Sequence, residues 1–67
     1  MGAEATDSNF VGADISDANA LGANLRGADL SRALLARTNF RRANMYGTKL
    51  DDAIFRDTVM PDGTIRP

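Results

Sequence analysis

The side chains able to do chemistry in this chain are of two kinds, carboxylates and guanidiniums. There is no histidine and no cysteine, which removes the commonest general base, nucleophile and transition-metal ligands. Asp51-Asp52 is an adjacent carboxylate pair, the residue type of a hydrolytic dyad or a calcium site. It lies at an expected exposed corner, however, with no concave pocket implied beside it. Arg32, Arg37, Arg41 and Arg42 form the densest basic run and have the chemistry to hold an anion or phosphate. Each also has a carboxylate nearby in the expected fold, so internal charge pairing is the simpler role. Gly12, Gly22 and Gly27 never form a phosphate loop between strand and helix. Tyr46 and the three phenylalanines are too scattered to mark a nucleic-acid groove. The chain reads as a non-enzyme with no catalytic residue, metal ligand or cofactor.

What positions these side chains is a five-residue period. Phe10, Ile15, Ala20, Leu25, Leu30, Leu35, Phe40, Met45, Leu50, Phe55 and Met60 are all apolar, in unbroken register. Two residues before each stands alanine, serine or threonine, and between the two stands mostly asparagine or aspartate. A helix needs apolar positions about 3.6 apart and a half-buried strand needs strict alternation, so the period fits neither. Residues two apart share one side of an extended segment. The odd residue in each repeat then breaks the alternation and makes a corner. If those corners are roughly right-angled, four repeats would close a square coil of about 20 residues, with coils stacked at the strand spacing of about 4.8 Å.

The segments Ala13-Asp14-Ile15, Ala23-Asn24-Leu25, Ala28-Asp29-Leu30 and Ala43-Asn44-Met45 resemble the A(D/N)LXX signature of pentapeptide repeat proteins. The resemblance implies an all-β fold, a right-handed quadrilateral parallel β-helix of about three coils, with both the handedness and the four repeats per coil supplied by the family. It runs over residues 8–62, with a lead-in at 1–7 and a tail at 63–67. Met60-Pro61-Asp62-Gly63 has turn chemistry and resembles the C-terminal close of small cyanobacterial members. Residues 20 apart become vertical neighbours. Asn24 over Asn44 and Asn19 over Asn39 are then placed to form amide ladders, Thr38 and Thr58 to satisfy each other's hydroxyls, and Ile65 to tuck in as a minimal lid.

Size and charge narrow the function. Sixty-seven residues make one domain near the lower limit for a self-sufficient core, and the net charge of −1 marks no strong nucleic-acid binder. Charge nevertheless sorts by coil. Residues 3–22 carry Glu4, Asp7, Asp14 and Asp17 and no base; residues 23–42 carry five arginines against Asp29; residues 43–62 are acidic again. Asp17, Arg37 and Asp57 should form one alternating column. The asparagine/aspartate position is broken at Leu34, Lys49, Ile54 and Val59. Leu34, Ile54 and Val59 therefore make the candidate interface, because contiguous exposed apolar area is uncommon on monomers.

The leading expectation is a protein–protein interaction scaffold, binding a protein partner or forming a homo-oligomer through an open coil end or the Leu34/Ile54 face. Neither nucleic acid nor membrane is expected as a partner. The family resemblance supplies one alternative, a DNA-mimic inhibitor of DNA gyrase or topoisomerase, against which stand a body about 14 Å tall and a basic middle. A designed or trimmed minimal β-helix without activity is another. With no run resembling a signal peptide, a cytoplasmic location is the default, and the sequence also allows one domain or a fragment of a longer protein.

Overall fold

The computed structural model describes residues 4–67. Each repeat places one outward residue in a parallel bridge with the residue 20 further on: Asn9 with Asp29, Asp14 with Leu34, Asn19 with Asn39, Asn24 with Asn44. The series starts at Glu4, which bridges Asn24, so coil geometry is already present there. The result is a square-section solenoid of three coils measuring 25 × 22 × 17 Å.

The corners share one geometry. The apolar residue's carbonyl accepts from the amide three residues on, as Ala13 N donates to Phe10 O at 2.9 Å and Ala33 N to Leu30 O at 3.0 Å. The second of the two intervening residues takes positive φ, the mark of a type II turn. Glycine fills this place at some corners, such as Gly47 (φ 72°). Aspartate or arginine fills it at Asp7, Asp17, Arg32, Arg37, Arg42, Asp52 and Asp57, with φ from 51° to 64°. Left-handed backbone costs a non-glycine residue about 1–2 kcal/mol. At Asp7, Asp17, Arg32, Arg37 and Arg42 the same residues' amides bond to the next coil, as Arg37 N does to Arg56 O at 2.7 Å, which offsets that cost.

Inside, small and apolar residues alternate as the spacing requires. Ala28, Leu30, Ala33, Leu35 and Phe40 are completely buried, all in the middle coil. Phe10, Ile15, Leu50 and Phe55 pack against them and are half-buried at the two ends. Leu25 is buried with the middle coil, while Met45 and Met60 are half-buried.

Two expected side-chain arrangements are corrected. Thr38 and Thr58 are fully buried, yet their hydroxyls do not bond to each other. Thr38 Oγ1 donates to Ile15 O at 2.8 Å and Thr58 Oγ1 to Leu35 O at 2.7 Å; Thr48 reaches Leu25 O likewise at 2.6 Å. A turn carbonyl in the coil below has a second lone pair, and a hydroxyl at the small position is within reach of it. Nor do the asparagines form amide ladders. Asn9, Asn19, Asn24, Asn39 and Asn44 each turn Oδ1 onto the amide two residues ahead at 3.0–3.2 Å, and Asp14 and Asp29 do the same. That amide is the first of the corner, where no backbone acceptor lies within reach, so an Asx oxygen is the nearest partner.

The tail closes one side. Strand β1 (Thr58–Val59) pairs antiparallel with β2 (Ile65–Arg66), Thr58 opposite Arg66 and Val59 opposite Ile65. The reversal is made at Pro61–Gly63, with Gly63 N donating to Met60 O at 2.8 Å and Met60 N to Thr64 O at 2.7 Å. Paired residues point to the same face. Arg66 follows inward-facing Thr58, and its guanidinium lies 3.9 Å from the centre of the Phe55 ring. Ile65 follows outward-facing Val59 and is 63% exposed. The lid is thus Arg66 and not Ile65, because alternation in β2 sends the isoleucine outward.

Candidate functional site

The residues singled out by broken pattern occupy two adjoining walls. Leu34 bridges Ile54 directly on one wall, and Val59 bridges Asn39 on the next. Ile54 is 56% exposed; Leu34 and Val59 are half-buried. Ala36, two residues beyond Leu34, is buried and adds nothing to this surface. The tail adds Ile65 alongside Val59, so the apolar ledge extends one rung further than the sequence suggested. Pattern reading missed Ile65 because its orientation depends on the antiparallel return of the tail. The hollow under that return is lined by Met60, Pro61, Ile65 and Arg66 among others.

These positions also lack the Asx oxygen that closes other corners. The fold answers each loss differently. Pro61 follows Val59 by two and has no amide to satisfy. The amide of Arg56, two beyond Ile54, donates to Thr58 Oγ1 at 3.2 Å. Leu34 offers no oxygen to the amide of Ala36. Leucine and isoleucine here give up a local hydrogen bond for an apolar surface.

The charged residues are organised less tightly than the coil sums suggest. Arg37 and Asp17 form a two-pronged pair, Nε to Oδ1 at 2.6 Å and Nη2 to Oδ2 at 3.1 Å, the only ion pair among the described residues. Asp57 stays beyond pairing distance, so the expected three-membered column is a pair with a distant third member. Arg32, Arg41 and Arg42 make no ion pair among the described residues; Arg41 and Arg42 share one corner and Arg32 stands on another, two corners away. Arg26 lies over the exposed Tyr46 ring, 5.4 Å from its centre. Asp51 and Asp52 are both exposed.

The Arg37 guanidinium holds the Asp17 carboxyl below the ordinary carboxylate range. The backbone amide of Ser16 does the same for Asp14, and the Thr64 hydroxyl, followed by its amide, for Asp62. These are structural shifts on exposed groups, not an acid–base pair. No helix of the described residues is long and apolar enough to cross a membrane.

Parallel bridges at 20-residue spacing, a positive φ at every corner and inward small/apolar pairs define a right-handed quadrilateral β-helix. The pentapeptide repeat profile matches residues 21–57 with 8 copies, and the chain belongs to that family. It is similar to HetL, a pentapeptide repeat protein involved in heterocyst differentiation regulation in the cyanobacterium Nostoc sp. strain PCC 7120. Identity is 31% and the TM-score 0.55 over 98% of this chain. The chain spans 35% of the HetL chain. Rfr23 from the cyanobacterium Cyanothece 51142 is similar at 30% identity, covering 90% of this chain and 48% of its own, with a TM-score of 0.40. A search of curated proteins finds no significant match.

Proposed function

We propose that this chain is a non-enzymatic protein-binding module that engages a partner through the ledge of Leu34, Ile54 and Val59, extended by Ile65. The observation that supports this reading is the exposure of Ile54 (56%) directly above Leu34, on a wall position that elsewhere carries a turn-capping asparagine or aspartate. Burying a side chain of this size is worth about 1.5–3 kcal/mol, enough for two such residues to anchor a small interface. The involvement of HetL in heterocyst differentiation regulation accords with a display scaffold. The occupant is another protein or a second copy of this chain.

The test is the double variant Leu34→Asp/Ile54→Asp, examined by analytical ultracentrifugation and by capture from lysate of the source organism. The reading expects a partner or dimer seen with the parent chain to be lost, with circular dichroism unchanged. Retention of every association by the folded variant would contradict it.

A further inference from the structure

We propose that the occupant of the Leu34–Ile54 wall is a second copy of this chain, bound across a two-fold axis that sets the two solenoids antiparallel. The proposal rests on reading that wall as an interface, and it names the partner. The repeat fixes what the wall displays. Residues two apart share one side of an extended segment, so the second coil presents Arg32, Leu34 and Ala36 in a row. The third coil presents Asp52, Ile54 and Arg56 over them, with Ile54 bridged to Leu34. Arg32, Asp52, Ile54 and Arg56 are exposed, and Leu34 is half-buried. The first-coil row is Gly12, Asp14 and Ser16, so the apolar centre belongs to the upper two rows alone.

A two-fold axis lying in the wall, midway between the second and third coils and running along the rows, exchanges those two rows. Leu34 then meets Ile54 of the second copy, and Ile54 meets its Leu34. Arg32 meets Asp52 of the second copy and Asp52 its Arg32, two opposite-charge contacts from one surface. Ala36, small and buried, leaves room for Arg56 of the second copy. A two-fold interface must be complementary to itself, and this wall is so in apolar and charged positions alike. Arg32 and Asp52 stand on one corner, 20 residues apart, yet neither is ion-paired among the described residues.

Other placements fit less well. Moving the axis down to the second coil sets Arg32 on its own counterpart and Ile54 on Asp14. Turning the axis along the solenoid makes the two copies parallel; it sets Asp14 on its counterpart and leaves Arg32 facing Ala36. Like charges brought together across an interface are disfavoured. A peptide of one sign, basic or acidic, meets Arg32 or Asp52 as a like charge. The overlap is two rungs, about 10 Å of wall, on a body no wider than 25 Å. That is well under the roughly 800 Å² per partner of a stable interface. The association is therefore weak, with a Kd of about 0.1–1 mM, and charge sets its register.

The test is charge reversal in two separate chains, read by sedimentation equilibrium at low salt, where exposed charges are least screened. Arg32→Asp and Asp52→Arg each bring to a positive-φ corner a residue type that other corners already carry there, as Asp17 and Arg42 do. Alone, each variant sets like charges together and should self-associate at least about tenfold more weakly than the parent. Mixed in equal amounts, the two chains match aspartate with arginine at both contacts, and the mixture should regain the parent's association. A mixture no better than either variant alone would overturn the proposal. So would weakening by Asp52→Arg without weakening by Arg32→Asp, the outcome of the parallel arrangement, in which Asp52 faces Arg56. A parent chain that is monomeric at about 1 mM overturns the second copy but not the interface reading, which then stands or falls on whether Leu34→Asp/Ile54→Asp loses a different partner.

Discussion

The middle coil and the two end coils are built from the same repeat, yet they are not equivalent. Leu30, Leu35 and Phe40 are completely buried, whereas their vertical neighbours Phe10 and Ile15 below, and Leu50, Phe55 and Met60 above, are half-buried. The repeat specifies a shape, and burial is conferred by the coils on either side. In a solenoid the contribution of a side chain therefore depends on its rung more than on its type. The C-terminal end recovers some cover from β2 and from Arg66 over Phe55. Among the described residues the N-terminal end shows no such cap.

This contrast is most directly broken by equal truncations on unequal rungs. Phe40→Ala should destabilise by about 3–5 kcal/mol, the usual range for a fully buried phenylalanine, and Phe10→Ala by roughly half of that. Urea denaturation of both measures the difference, and equal losses would mean the ends are as well packed as the middle.

Thr58→Val is the next largest. It removes the donor to Leu35 O and the acceptor for the Arg56 amide while keeping shape, at an expected cost of about 1–3 kcal/mol. Because Thr58 is fully buried although it lies in the last coil, a large loss would show that polar anchoring reinforces burial there.

Corner strain can be tested with a stabilising change. Arg32 sits at φ 58° without an ion pair among the described residues. Arg32→Gly should relieve about 1–2 kcal/mol of left-handed strain, less about 0.5–1 kcal/mol for glycine's added freedom in the unfolded chain. The net is a small rise in Tm by calorimetry. Arg37→Gly at the same geometry should gain less, since it also removes the Asp17 pair.

The smallest effect is on acid stability. Asp14, Asp17 and Asp62 hold their protons less tightly in the fold than the ordinary carboxylate value of 3.8. Their contribution is therefore complete above that value and lost as pH falls through the lowered folded values. Thermal unfolding should show a Tm that is flat with respect to these groups at neutral pH and declines below about pH 4. Asp17→Asn should shallow that decline.

Much of the fold was legible in the sequence because a period of five leaves few alternatives. The apolar series from Phe10 to Met60 and the corners follow from spacing alone, while the handedness and the four repeats per coil follow from the family resemblance. Legibility failed where a side chain had to choose among partners at similar distance. Asn39 lies over Asn19, yet its oxygen takes the Arg41 amide of its own corner. Thr58 lies over Thr38, yet it donates to a carbonyl. Period also says nothing about a segment that leaves the period, so the orientation of Ile65 and Arg66 had to come from the tail's antiparallel pairing. Of the candidate surface, Leu34, Ile54 and Val59 were readable as exceptions to the repeat, and Ile65 was not.

Residue-resolved amide hydrogen exchange tests the central claim, that identical repeats acquire unequal roles from their rung. The amides of Asp29, Leu34 and Asn39 should exchange slowly and together, close to the global unfolding limit. Those of Asn9, Asp14 and Asn19, at the same place in the repeat one coil lower, should exchange orders of magnitude faster in the free chain. Equal protection of the two sets would contradict the account.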